Sequence, residues 1–268
     1  MKQDVVFICV NFNDSDITSK YITNVLSLNS NFNIKIIIVD NNSNIEDQNH
    51  ISNFIKNTSN ENLFLLNSDI NLGYFKGLNL GIKFAIKKFN FAFLIIGNND
   101  LIFDHDFLYE LEISSFDSTV MVLAPDVYTS NGIHENPHIL KRVSFFRRII
   151  YKIYFTHYFI SYLISLIYKP KRRYRGFITE KKYIYMGIGA LYILTPNFFK
   201  HFTTLWDQVF LYGEEALLAG QIKSVNGNTL YMPSLKCLHF GSSTTSSLKT
   251  RKKYKMEQSS YNIYKQYL

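Results

Sequence analysis

Glu214 and Glu215 stand side by side behind Phe210-Leu211-Tyr212-Gly213 and ahead of an apolar run. A carboxylate facing a pocket can take a proton from an attacking hydroxyl. Two acids in the first turn of a helix also complement its dipole without any chemistry. Asp100 closes a second apolar run, directly after Asn98 and Asn99. Oxygen donors of this kind can hold a hard divalent cation that bridges phosphates, although Asn and Asp are equally at home in turns. His239 follows a third apolar run and precedes Gly241-Ser242-Ser243. It is a candidate ligand for a metal or a phosphate, or else a structural histidine. Gly73, Gly77 and Gly81 recur every four residues where a helix should begin. Glycines there let backbone approach a ligand, and a helix start favours anions, yet neither the Walker pattern nor GxGxxG is present. His134-Glu135-Asn136-Pro137-His138 matches HExxH. That zinc chemistry needs both histidines on one helical turn, which Pro137 and the residue before it disfavour, so the match is set aside.

Regular elements must position these groups. Apolar, β-branched runs predict strands over 5–10, 34–39, 63–66 and 91–96. Helical spacing predicts helices over 15–28, 45–57 and 73–88, the first with Asp14 or Ser15 as N-cap. Such alternation implies βαβ units and a parallel sheet covered on both faces. Ligands then bind beyond the carboxyl ends of the strands. Those ends carry Asn11-Phe12-Asn13, Asp40-Asn41-Asn42-Ser43, Asn67-Ser68-Asp69 and Gly97-Asn98-Asn99-Asp100. One such cluster would be a turn; four in register look like a lined pocket. Beyond Asp100 the pattern loosens, with strands predicted over 120–124, 190–195, 229–232 and 235–238, the last two separated by Pro233. Residues 210–218 read as a loop running into a short helix.

Composition bounds the rest. A chain of 268 residues, 47% hydrophobic and 16% aromatic, can bury a core and is not disordered. The net charge of +8 is concentrated. Residues 141–183 hold twelve Lys/Arg against one acid, and 246–268 hold six against one, so the remaining body is acidic. In the first stretch Phe145, Phe146, Arg147, Arg148, Ile149, Ile150, Tyr151 and Lys152 interleave, and after an apolar run come Lys169-Pro170-Lys171-Arg172-Arg173. Charges interrupt it too often for a transmembrane span. One or two helices lying in a membrane interface, or an amphipathic helix over the core, both fit. The acidic body argues against nucleic acid. Cys9 and Cys237 sit in apolar runs and read as buried thiols, with no zinc or redox motif. No signal peptide is read at the N-terminus, which makes the cytoplasm the expected location.

Taken in order, Val10-Asn11-Phe12-Asn13, Val39-Asp40-Asn41-Asn42-Ser43, the stretch from Asn71 to Gly81, Gly97-Asn98-Asn99-Asp100, Phe210 to Glu215 and the closing segment 233–243 resemble the family 2 inverting glycosyltransferases. The subgroup resembled is the bacterial one, rhamnosyltransferase-like, that builds O-antigen or capsule repeat units. The resemblance covers residues 5 to about 245. It implies a GT-A fold: α/β, with a Rossmann-like, mostly parallel central sheet flanked by helices, here with a basic aromatic helical insertion. Residues 1–100 would be the nucleotide-sugar half, 101–245 the acceptor and catalytic half with a membrane-interface segment at about 141–183, and 246–268 a basic C-terminal tail.

By the same resemblance, Asp40 would contact the nucleotide base, with Asn11 and Asn13 nearby. Asn42, Gly73, Lys76, Asn79, Asn98 and Asn99 would line the nucleotide-sugar pocket. Asp100 would hold Mg²⁺ or Mn²⁺ on the diphosphate, helped by His239, and Glu215 would be the base, preceded by Glu214. The implied reaction moves a sugar from a UDP- or dTDP-sugar to a hydroxyl of a glycan acceptor, and the basic aromatic segment fits an acceptor carried on a polyprenyl-diphosphate lipid. It proceeds with inversion at the inner face of the cell membrane. Two departures stand out. The DxD position reads Asn98-Asn99-Asp100, with a single acid, which implies weak metal affinity. Glu replaces Asp at the base position, so the carboxylate reaches about one methylene further and Glu214 stays open as the base. Other classes fit less well. A nucleotidyltransferase would carry Gly and Arg after the first strand, and a methyltransferase would want glycines there. A non-catalytic sugar- or membrane-binding relative is the alternative that the lone acid leaves open.

Overall fold

We describe the chain from a computed structural model, in residues 2–167, 177–240 and 251–268. The first half alternates as its periodicity requires: β1 (Asp4–Asn11), α1 (Ser15–Leu26), β2 (Asn33–Asp40), α2 (Ile45–Thr58), β3 (Leu63–Asn67), α3 (Tyr74–Lys88) and β4 (Phe91–Gly97). Val5 to Cys9 are fully buried because both faces of β1 are covered. Val5, Phe7 and Cys9 share a core with Tyr21, Ile22 and Val25 of α1. Val6 and Ile8 pack with Leu78 and Ile82 of α3. The strands run parallel in the order β3-β2-β1-β4. Their carboxyl ends therefore share one edge, and the polar clusters arrive there together. Asp14 occupies the N-cap of α1 but makes no side-chain cap bond. The Ser15 N–H donates instead to Asp47 Oδ1 of α2 at 2.8 Å. Gly77 and Gly81 turn out to serve packing: a Cβ on Gly81 would lie 2.5 Å from Ile8 Cγ2, so the glycines let α3 lie close on the sheet.

The second half adds β5 (Leu101–Phe103), α4 (Phe107–Glu112), β6 (Val120–Thr129), α5 (Phe145–Tyr154), α6 (Tyr158–Ile167), β7 (Lys182–Ile184), β8 (Leu191–Leu194), α7 (Pro196–Phe199), α8 (Glu214–Lys223), β9 (Asn228–His239) and α9 (Arg251–Tyr264). One sheet runs β3-β2-β1-β4-β8-β6-β9-β5, with β7 also on β9. β8 is antiparallel to both β4 and β6. β6 runs five residues past the expected end at 124 because β9 goes on pairing with it from Asp126 to Thr129. The two strands expected around Pro233 are one strand, β9. Pairing steps from Pro125↔Met232 to Asp126↔Lys236, so residues 233–235 bulge out where proline has no N–H to give. Past the bulge, Thr129 faces His239 on one side and Leu101 faces it on the other.

The basic aromatic segment forms two short helices, α5 and α6. No residue of α5 is buried, and Phe145 and Phe146 are 72% and 78% exposed. Among the described residues no helix is long and apolar enough to cross a membrane. Lys169 to Arg173 and Gly241 to Ser243 lie outside the described residues. Part of the C-terminal tail is a helix folded onto the body: Tyr261 of α9 stacks on Phe155 with ring centroids 4.4 Å apart. Arg142 Nε donates to the Leu268 carbonyl at 2.7 Å, so this exposed cation is engaged by the end of the chain. Cys9 and Cys237 are free and buried, and burial pushes both thiols up.

Candidate active site

At the β4–β5 junction, Asp100 is 1% exposed and its backbone carbonyl accepts the Phe240 N–H at 3.1 Å. The β5–β9 pairing sets His239 beside it, with Nε2 3.3 Å from Asp100 Oδ1. The Asn98 amide nitrogen lies 3.4 Å from the same Nε2. The other ring nitrogen, Nδ1, is 2.7 Å from Glu135 Oε2. Burial by itself would lower the His239 imidazole. Hydrogen bonds and charge from Asp100 and Glu135 outweigh it and push the group up to about 10. Glu135 was not among the expected site residues. It sits inside the HExxH match, whose residues form no helix here. Each serves a different partner: His134 Nδ1 meets Asp126 at 2.8 Å, Glu135 meets His239, and Asn136 holds the Pro125 carbonyl and the Ile188 N–H, both at 2.8 Å.

The carboxylate of Asp100 and the imidazole of His239, once its Nε2 proton is displaced, suit a divalent cation that takes oxygen and nitrogen donors. Among the described residues no three His, Cys, Asp or Glu are arranged to hold an ion by themselves. Two protein ligands suit a Mg²⁺-type ion, which is commonly held by one or two carboxylates together with substrate phosphates and water. The residues present therefore fit a cation shared with a diphosphate.

A chain of amides joins this corner to the ends of β1 and β2. Asn99 Nδ2 donates to Thr18 at 2.8 Å, and Thr18 donates to Asn11 Oδ1 at 2.7 Å. The Asn11 amide then donates to Asp40 at 2.9 Å and to Asp47 at 2.8 Å. Asp40 is fully buried, and its other oxygen accepts the Ser43 N–H at 3.1 Å. Asn11 and Asp40 thus brace the loops and present no surface of their own. Asn13 and Asn42 above them are exposed and both take positive φ. The Asn13 amide oxygen accepts the Asn44 N–H at 2.7 Å. Asn41 Nδ2 donates to Asn71 and to the Gly73 carbonyl, tying β2 to the start of α3. Gly73 takes φ +81°, and a Cβ there would lie 2.2 Å from the Phe210 carbonyl. That contact joins the α3 start to the loop before Glu214. Lys76 is exposed on the first turn of α3. Asn79 is not brought to the cluster: its amide is spent on Leu205 and Asp207, both at 2.9 Å.

Glu214 and Glu215 open α8, after Gly213 in the left-handed region. Glu214 is 5% exposed, and its Oε1 has no hydrogen-bond partner among the described residues. Burial and then the charge of Glu215 push it up to about 8. Glu215 is partly exposed, and its Oε1 accepts the Gly189 N–H at 3.3 Å. A short segment that sequence reasoning passed over connects the two ends of the site. The Ala190 carbonyl accepts the Asn98 N–H at 2.9 Å, while neighbouring Gly189 holds Glu215 and receives the Tyr74 hydroxyl at 2.9 Å. Its signal was the pair Gly187 and Gly189 just before β8.

The sheet and its covering helices are shared with glycosyltransferases of known structure. The fold superposes on mannosyltransferase PcManGT from Pyrobaculum calidifontis, solved with GDP-Man and Mn²⁺, with a TM-score of 0.59 at 12% identity. The match covers 99% of this chain and 63% of that one. GalNAc-T7, solved with UDP, GalNAc and Mn²⁺, gives a TM-score of 0.62 at 14% identity, over 90% of this chain and 44% of that one. The chain thus spans less than two thirds of either structure, and identities this low speak to fold alone. No curated protein matches the sequence closely enough to count as a relative. The model for Glycosyl transferase family 2 matches residues 6–175, and the chain belongs to that family.

Proposed function

We propose that the protein transfers a sugar from a nucleotide-sugar donor, a UDP- or dTDP-sugar, to a hydroxyl of a glycan acceptor, with inversion at the anomeric carbon. The observation that carries this reading is the Gly189-Ala190 link. One dipeptide holds the Asn98-Asn99-Asp100 corner through Ala190 and the Glu215 carboxylate through Gly189. Asp100 and His239 would hold Mg²⁺ or Mn²⁺, which when bound neutralises charge on the leaving diphosphate. That both solved neighbours contain Mn²⁺ supports a divalent ion. Asn13, Asn42, Gly73, Lys76, Asn98 and Asn99 would border the nucleotide-sugar, over the buried supports Asn11 and Asp40. Glu215 takes the proton of the acceptor hydroxyl. Its exposure and its anchored carboxylate support this role over the buried Glu214. Residues 1–100 would then be the donor half and 101–245 the acceptor half.

The acceptor in this proposal is carried on a polyprenyl diphosphate at the inner membrane face, in the assembly of O-antigen or capsule repeat units. Exposed Phe145, Phe146, Phe159 and Leu166 on α5 and α6, with Arg147 and Lys152 among them, support a peripheral membrane contact. The test is a melting panel with UDP, dTDP, GDP and CMP, each with and without Mn²⁺, followed by a transfer assay. One diphosphate should raise the melting temperature, more strongly with metal. Glu215→Gln should keep that shift and lose about 10²-fold or more of the transfer rate. A flat panel would defeat the donor-site reading, and full activity of Glu215→Gln would move the base elsewhere.

A further inference from the structure

We propose that Glu135 is a positioning residue of the metal site: its carboxylate holds His239 in the ring orientation and tautomer that present Nε2 to a divalent cation beside Asp100. This rests on the reading of Asp100 and His239 as metal ligands. Glu135 Oε2 lies 2.7 Å from His239 Nδ1, a charge-assisted distance. With Nδ1 engaged there, Nε2 is the nitrogen that faces Asp100 Oδ1, at 3.3 Å, and the one whose proton a cation would displace. Carboxylate-to-histidine-to-metal relays of this kind fix a ligating imidazole and raise its basicity.

Glu135 is itself held from both sides. Its N–H donates to the Val127 carbonyl of β6 at 2.7 Å. Asn136, next in the chain, is 2% exposed and bonds Pro125 and Ile188. The same strand, β6, sets Thr129 opposite His239 on β9. The two side chains, 104 residues apart in sequence, therefore meet through the backbone pairing of one sheet. The pairing also bears on the poverty of Asn98-Asn99-Asp100, which brings a single acid to the cation. Glu135 supplies a second carboxylate to the same corner, acting through the imidazole rather than touching the ion.

The test measures Mn²⁺ affinity by electron paramagnetic resonance, with the diphosphate that most raises the melting temperature of the wild-type protein present in excess. Glu135→Ala should weaken Mn²⁺ binding about 10- to 100-fold. Glu135→Gln, whose amide oxygen still accepts from Nδ1, should recover most of that loss. In the His239→Ala background, Glu135→Ala should cause no further loss, because its effect passes through the ring. Unchanged affinity in Glu135→Ala, Glu135→Gln as weak as Glu135→Ala, or an additive loss in the double variant would each overturn the assignment while leaving the donor site standing. If no diphosphate and Mn²⁺ bind the wild-type protein at all, the metal-site reading fails and takes this inference with it. Melting curves of each variant report its folding, and the glutamine variant keeps the test decisive if the alanine variant unfolds.

Discussion

Gly189→Ala should separate catalysis from stability. A Cβ built on Gly189 lies 2.8 Å from Glu215 Oε1 and 3.2 Å from its Cδ, whereas ordinary contacts begin at 3.4 Å. The carboxylate would have to withdraw by about 0.6 Å. The atoms that must give way are the far end of a flexible side chain, and Gly189 is outside the left-handed region. The backbone therefore tolerates alanine, and the loss of chain entropy in the unfolded state contributes about 0.4–1 kcal/mol in its favour. The free energy of unfolding should stay within about 1 kcal/mol of wild type. A general base contributes about 10²–10⁴-fold, and a misplacement near 1 Å can remove about 10²-fold. The maximal transfer rate should thus fall about 10- to 100-fold, equivalent to about 1.4–2.7 kcal/mol of barrier. The assay is initial-rate transfer at saturating donor, alongside urea unfolding and the diphosphate-induced melting shift, which should be intact. A rate within about twofold of wild type would refute the placement of the base at Glu215. A large loss of unfolding free energy would refute the claim that only the carboxylate yields.

Two further outcomes follow from burial and exposure. Glu214, pushed up to about 8, keeps its proton in the fold while the unfolded chain loses it above about 4.5. Stability should therefore be fullest below that pH and decline as pH rises towards 8, by up to about 1.4 kcal/mol per pH unit. Urea unfolding at steps across this window should show that decline in the wild-type protein and a flatter profile in Glu214→Gln; equal slopes would show that Glu214 is not held protonated. Changing both Phe145 and Phe146 to Ser should leave melting unchanged, since the rings are 72% and 78% exposed. It should weaken flotation with anionic lipid vesicles at least about tenfold, as burying even one such ring contributes about 1.5–3 kcal/mol. Undiminished vesicle binding would remove α5 from the membrane contact.

The β/α alternation of the first half was legible because period-2 and period-3.6 patterns are local, and parallel pairing of such units leaves one edge for the strand-end amides. Asp100, His239 and the Glu214-Glu215 pair stood out as candidates for the same reason: each closes or opens an apolar run. What escaped depends on residues distant in the chain. Asp40 and Asn11 looked like pocket walls, but their polar groups are consumed by each other and by Ser43 and Asp47 once the two loops meet. Asn79 belonged to a binding stretch by the family resemblance, and α3 instead turns it to Leu205 and Asp207. Glu135 was discarded with a motif that fails as a helix. Its role arises from the pairing of β6 with β9, and no local period encodes which strand lies beside which. Residue type and spacing thus determined which groups could do chemistry. Only the packed sheet, by lining up the register past the bulge at 233–235 and closing Gly189 onto Glu215, decided which of them touch.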